Sequence, residues 1–426
     1  MVMSNDFGDK IKYYRVKANM TQDELTKGII SVSYLSKIEA GVLNPTEEIR
    51  ELLCKRLNLD PLFLENDKMH DLCHTWFKQL FNRETTAAKE LFQTINNNVD
   101  YIANKQLHNL FQIHKLFYFI LTKNTAAADQ QFAFLQQESP NYKGKVLFYW
   151  LRASGDYHFS KLSFADALHY YLEAEKNISL EQIHFPEKEE KDLYFLIATT
   201  ASKIRKTYIA IVYGLDALEY YRSIYNLKRC ANCHILLGIS YQRANEYQKS
   251  LESYTLAITI AQNIKDKNLL SLCYQNMGKL YSLLNKTEDA INYYQESYKL
   301  REESHANKRI IPISSLMKEY YDIGDLENAE KWMEKGLELS ETLSPVDSIY
   351  FHEFKVYRHL IKGYDNTFEA LINKEVLPFL NEKQLDFEKS FYLKILADYY
   401  FNNRKYKLAA TTYKRAHQIL GRFNSD

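Results

Sequence analysis

Cys230, Cys233 and His234 stand in the order Cys-x-x-Cys-His within CANCH, the spacing of covalent haem attachment. That chemistry needs export and an axial partner, whereas the chain opens on the polar stretch MVMSNDFGDK rather than on charged residues followed by an apolar run. Five cysteines in 426 residues also argue against a disulfide framework, so the pair reads as reduced and packed in a core. The spacings of metalloprotease, P-loop and serine-hydrolase sites (HExxH, GxxxxGKS/T, GxSxG) do not occur, and the twelve histidines are otherwise scattered. No enzyme, metal or cofactor is expected. The remaining chemistry is recognition. SVSYLSKIEAGVLNP, residues 31 to 45, gathers Ser31, Val32, Ser33, Tyr34, Ser36 and Lys37, small or polar side chains that permit close approach together with one long cation.

Such a segment needs a scaffold, and composition describes it. Twelve Gly and seven Pro are few for this length, which favours helix over a many-stranded sheet. A chain of 426 residues exceeds one compact core and suggests several domains or an array. With 55 basic and 54 acidic residues, overall charge gives no footprint for nucleic acid, so any such partner must be bound locally. No stretch approaches the roughly 18 uncharged apolar residues of a membrane span, so a soluble, cytoplasmic protein without a membrane partner is expected.

Read from its end, the chain repeats. Ala409, Tyr413 and Ala416 share one helical face, and the pattern recurs upstream in Ala329-Met333-Gly336, Ala290-Tyr294-Ser297, Ser250-Tyr254-Ala257, Ala210-Gly214-Ala217 and Ala167-Tyr171-Ala174. Weaker copies start at Ala88, Ala128 and Phe368, and successive starts are 39 to 43 residues apart. About twelve residues before several triplets comes a second signature, as in LLGISY, NMGKLY and ILADYY. The small residue lets one helix approach its neighbour and the aromatic fills the gap. This resembles the tetratricopeptide repeat, stretched beyond its usual ~34 residues. The expected fold is all-α: an N-terminal helix-turn-helix domain over residues 1–65, then a right-handed α-solenoid of about nine such repeats over 66–426.

In the N-terminal unit, Thr21 is an N-cap whose capping box Glu24 completes, Gly41 ends the next helix, and a further helix runs from Thr46 to Leu57. TQDEL, SVSYLSKIEAG and NP together resemble the repressor-type helix-turn-helix domain. The resemblance implies that the second helix of the motif enters the major groove. By position, Val32, Ser33 and Lys37 would face bases, Ser31, Tyr34 and Ser36 would lie near the backbone or flanking bases, and Gln22 would contact phosphate. It also implies a structural Arg15–Glu39 salt bridge. Residues 1 to 65 hold nine basic and ten acidic side chains, so affinity would lean on Lys10, Lys12, Arg15 and Lys17, on helix termini and on dimerisation.

A helix-turn-helix followed by nine long repeats is similar to the RRNPP group of Gram-positive peptide-pheromone receptors, most of all to its NprR type. The resemblance implies a quorum-sensing transcription regulator, a homodimer or tetramer, that binds a double-stranded DNA operator and is controlled by a short imported signalling peptide in its concave groove. The alternative is a repeat scaffold that binds and inhibits a phosphorelay response regulator, with DNA binding secondary. If the first helix of each repeat lines the groove, the anchors Gly238 and Gly278 put Asn232, Gln275, Asn276 and Lys279 on or beside that face, with Arg152, Ser314 and Lys318 from neighbouring repeats. An Asn there can donate to and accept from an extended peptide backbone, while Arg152, Lys279 and Lys318 suit a carboxylate. The same amides could instead bond neighbouring helices.

Overall fold

The computed structural model describes residues 6–59, 68–99, 102, 104–181, 185–343 and 348–421. Among them every regular element is a helix. The first four are α1 (Asp6–Lys17), α2 (Gln22–Thr26), α3 (Val32–Glu39) and α4 (Glu47–Arg56). The capping box at α2 forms as its residues dictate. The Glu24 amide donates to Thr21 Oγ1 at 3.2 Å and the Thr21 amide to Glu24 Oε2 at 2.7 Å. Ile11, Leu25, Leu35, Ile38 and Leu53 close a fully buried core. Gly8 on α1 is needed there, because a Cβ at that position would collide with the Ile38 carbonyl of α3. Gly41 follows α3 at φ +67°, a conformation natural to glycine.

Nine helix pairs follow among the described residues: α5 and α6 (Lys68–Asn82, Thr85–Asn97), α7 and α8 (Lys105–Leu121, Thr125–Glu138), α9 and α10 (Gly144–Ser160, Phe164–Glu181). Next come α11 and α12 (Glu187–Lys203, Thr207–Ser223), α13 and α14 (Leu227–Arg243, Tyr247–Asn263), α15 and α16 (Lys267–Leu283, Thr287–Lys299). The last are α17 and α18 (Ala306–Asp322, Leu326–Glu341), α19 (Ile349–Lys362) with the irregular α20, and α21 and α22 (Asp386–Asn402, Tyr406–Gly421). In α20 a wide π-type stretch, Leu371–Val376, separates Phe368–Ala370 from Leu377–Glu382.

The nine expected anchors, Ala88, Ala128, Ala167, Ala210, Ser250, Ala290, Ala329, Phe368 and Ala409, are all buried. A Cβ on Gly278 would stand 2.7 Å from the Tyr294 ring, and Gly155 and Gly238 meet Tyr171 and Tyr254 in the same manner. The aromatic therefore occupies the space that the missing side chain leaves. Pro312 lies inside α17, where it has no N–H for the Lys308 carbonyl one turn back. The buried Arg301 supplies the donor instead, Nη1 to Lys308 O at 3.0 Å.

The chain divides into two compact units, Met1–Pro186 and Glu187–Asp426. The division falls between the third and fourth helix pairs, inside the array that the sequence reads as continuous. In a stack each pair contacts chiefly its neighbours, so there is no single core to hold the array as one body. The expected boundary at residues 65 and 66 lies outside the described residues.

Candidate nucleic-acid interface and groove

α3 has two unlike faces. Leu35, Ile38 and Glu39 are buried, while Val32, Ser33, Ser36 and Lys37 are exposed. Ser31 caps the helix, its Oγ accepting from the Tyr34 amide at 3.2 Å. Tyr34 is half-buried and packs against the domain core. Glu39 is the hub beneath: it accepts from Arg15 Nε at 2.7 Å, from Arg15 Nη2 at 3.0 Å and from Gln22 Nε2 at 2.7 Å. The hydrogen bond to Glu39 is also the main reason that the Arg15 pKa rises.

Two residues expected near phosphate have partners within the domain: Arg15 donates to Glu39 and to the Met20 carbonyl, and the Gln22 amide donates to the same carboxylate. A buried carboxylate needs its lone pairs met, and these donors are the ones within reach. Two positioning residues have no local sequence signature: Gly8, through its contact with α3, and Arg56, whose Nη1 donates to the Leu25 and Lys27 carbonyls at the end of α2.

In the second unit, the first helices of successive pairs (α15, α17, α19 and α21) line an open groove of about 640 Å³, within the range of ligand clefts. Gln275, Asn276, Lys279, Ser314 and Lys318, named from anchor spacing, all line it. Asn276 is half-buried, and its Nδ2 donates back to Leu272 O at 2.9 Å. Lys279 reaches solvent, yet the surrounding protein lowers its pKa, helped by Arg243, Arg205 and Lys318 and opposed by Glu388.

The rest of the set has partners within the protein or lies elsewhere. Lys318 and Ser314 both bond Glu353 of α19, a residue 6% exposed, so the lysine charge is already matched and the serine is buried. Gln275 donates to Ser315 Oγ at 2.8 Å and joins α15 to α17. Asn232 is half-buried on α13 and is not among the groove residues. Arg152 belongs to the other unit, where its guanidinium lies 4.5 Å from the centre of the Phe81 ring beside a small cavity with His114 and Asp156. Anchor spacing locates a residue along one helix but does not report which face of a remote helix supplies its partner. Glu353 and Glu388, which set the charge of the groove, were missed for that reason.

CANCH is core. Cys230 and Cys233 are buried on α13, and burial pushes the Cys233 thiol to about 12 and the His234 imidazole down to about 4. A neutral thiol is a poor ligand and a poor nucleophile.

Comparison with known proteins adds to this geometry. Residues 11–64 match a helix-turn-helix family model, and residues 230–303 and 318–343 match tetratricopeptide repeat models. The chain is 32% identical over 403 residues to the transcriptional activator NprA of Geobacillus stearothermophilus, covering 93% of this chain and 98% of the relative. It is 24% identical over 289 residues to response regulator aspartate phosphatase A of Bacillus subtilis, 65% of this chain and 72% of that one. The solved structure of NprR in complex with its cognate peptide NprX shares the fold, with a TM-score of 0.65, 18% identity and coverage of 84% and 99%.

Proposed function

The chain belongs to the family of the transcriptional activator NprA, and on that premise we propose a cytoplasmic quorum-sensing regulator that reads promoter DNA through α3 and is controlled by a short signalling peptide in the groove of α15 to α21. The observation that carries the DNA reading is α3 itself. Its buried face is locked by Leu35, Ile38 and the Glu39 hub, and its outward face holds Val32, Ser33, Ser36 and Lys37. Small side chains with one cation suit close approach to base edges, and Ser31 and Tyr34 flank them. The peptide reading rests on a groove of suitable volume lined by the amide of Asn276 and by Lys279. No catalytic role is assigned.

A helix-turn-helix with nine basic and ten acidic residues in its first 65 positions reads few base pairs and gains little from charge. A homodimer or tetramer on a two-fold related operator follows. Similarity to a response regulator phosphatase supports the alternative, a scaffold that binds a response regulator. The α3 surface favours the first reading. The deciding experiment is a mobility-shift assay of the full chain on promoter fragments flanking its own gene, with and without synthetic peptides of about five to eight residues. A specific shift that peptide alters, weakened by about 1–3 kcal/mol in Lys37→Ala, supports regulation of DNA binding. No specific shift under any peptide condition refutes it.

A further inference from the structure

Beyond Lys318 the groove changes character. A second space of about 590 Å³ adjoins it, the far half of the two together, and is lined by the carboxylates Asp322, Glu353, Glu388 and Asp398 against a single ammonium, that of Lys318. Glu353 is already committed to Lys318 and Ser314. Asp322 and Asp398 remain, with Glu388, which has Arg205 near it, and Asp398 accepts from the Tyr413 hydroxyl at one oxygen. Burial raises the Asp322 pKa, with Lys318 opposing, as expected for a carboxylate short of positive partners. Tyr392 lines the same space at 1% exposure, and its hydroxyl has no hydrogen-bond partner. A buried, unmet hydroxyl costs about 1–3 kcal/mol, so its presence at a ligand groove calls for an occupant. Exposed rings stand beside it: Phe391 is 43% exposed and Tyr364 39%. The groove already places one cation on an aromatic face, Arg205 over Phe387 at 3.6 Å.

We propose that this far half is a subsite for a cationic group of the bound peptide, with Asp322, Glu388 and Asp398 supplying the negative charge, the Tyr392 hydroxyl accepting a hydrogen bond, and Phe391 or Tyr364 supplying a ring face. The inference rests on the reading that the groove holds a peptide. A lysine or arginine side chain and a free N-terminal amine share the required chemistry. Lys279 lines the groove but not this far space, and Asp398 lines this space but not the groove near Lys279. The cationic group of a bound peptide is thereby placed at Asp322 and Asp398, away from Lys279.

The test uses the full-length protein and a randomised synthetic heptapeptide library in two forms, with free and with acetylated N-termini, captured peptides being sequenced by mass spectrometry. The expected result is enrichment of Lys or Arg at one position in both forms, or capture that requires the free amine. Which of these occurs identifies the source of the cation. Asp322→Asn, an isosteric change, should reduce that preference about tenfold, and Asp322→Lys should turn it toward acidic peptides. Tyr392→Phe should reduce it less, with circular dichroism and thermal midpoint reporting the integrity of each variant. Capture without basic or amine preference, or a preference unchanged in folded Asp322→Lys, overturns the subsite and leaves the peptide reading standing. Capture of no peptide by the parent overturns both.

Discussion

Glu39→Ala removes the hub beneath the proposed recognition helix, and the structure sets the size of the loss. Three hydrogen bonds converge on this carboxylate, two from Arg15 in a bidentate fork and one from Gln22. The Arg15 side chain is 12% exposed and that of Glu39 4%. Breaking a buried pair by deleting one partner costs about 3–5 kcal/mol, because the remaining charge is left without compensation. Arg15 retains the Met20 carbonyl and some access to water, which puts the expected loss near the lower end, about 3 kcal/mol. The whole chain is not a two-state system, so the readout is amide exchange of α1 and α3 in the full-length protein. A loss of about 3 kcal/mol raises exchange there roughly 150-fold and leaves α13 to α16 unchanged. Operator binding should fall with it. The double variant Arg15→Met, Glu39→Met should recover much of the loss, since no charge stays buried. Exchange in α1 and α3 that rises less than about fivefold in Glu39→Ala, or a double variant no better than the single, would refute the reasoning.

Arg301→Met removes the donor that serves the Lys308 carbonyl below Pro312 together with the Ser271 carbonyl, and should destabilise the second unit by about 2–4 kcal/mol. Adding Pro312→Ala returns an N–H to Lys308 and should reduce that cost by about 1 kcal/mol, measured by exchange of α17. Buried His114, stacked 3.9 Å from Phe77, has its pKa lowered to about 4 by burial. The unfolded chain protonates this residue near its ordinary value and the folded chain does not, so stability present above about pH 6.5 is lost as pH falls toward 4. The expected loss is about 2 kcal/mol between pH 7 and pH 5, seen in exchange of α7 and absent in His114→Gln. Leu162 sits at φ +63° in an exposed turn, so Leu162→Asn should raise stability by about 0.5–1 kcal/mol in a thermal scan of the first unit's amides.

Features that depend on a few neighbouring residues were legible without coordinates. The capping box of Thr21 and Glu24 spans three positions, and the small-residue anchors recur because every pair solves the same local packing problem. All nine anchors were therefore found, as were the faces of α3, since Leu35 and Ile38 fall on one side of a short helix. The Arg15–Glu39 pair came from resemblance and stands as expected. Polar pairing across repeats was not legible. Lys318 meets Glu353 across 35 positions, Gln275 meets Ser315 across 40, and Gln22 turns to Glu39 across 17. Gly8 looks unremarkable in sequence until α3 lies on it. The physical reason is range. Helix periodicity and caps are settled within a turn or two, whereas the partner of a buried charge is whichever group the stacked helices bring within about 3 Å, and that distance exists only after the repeats have packed.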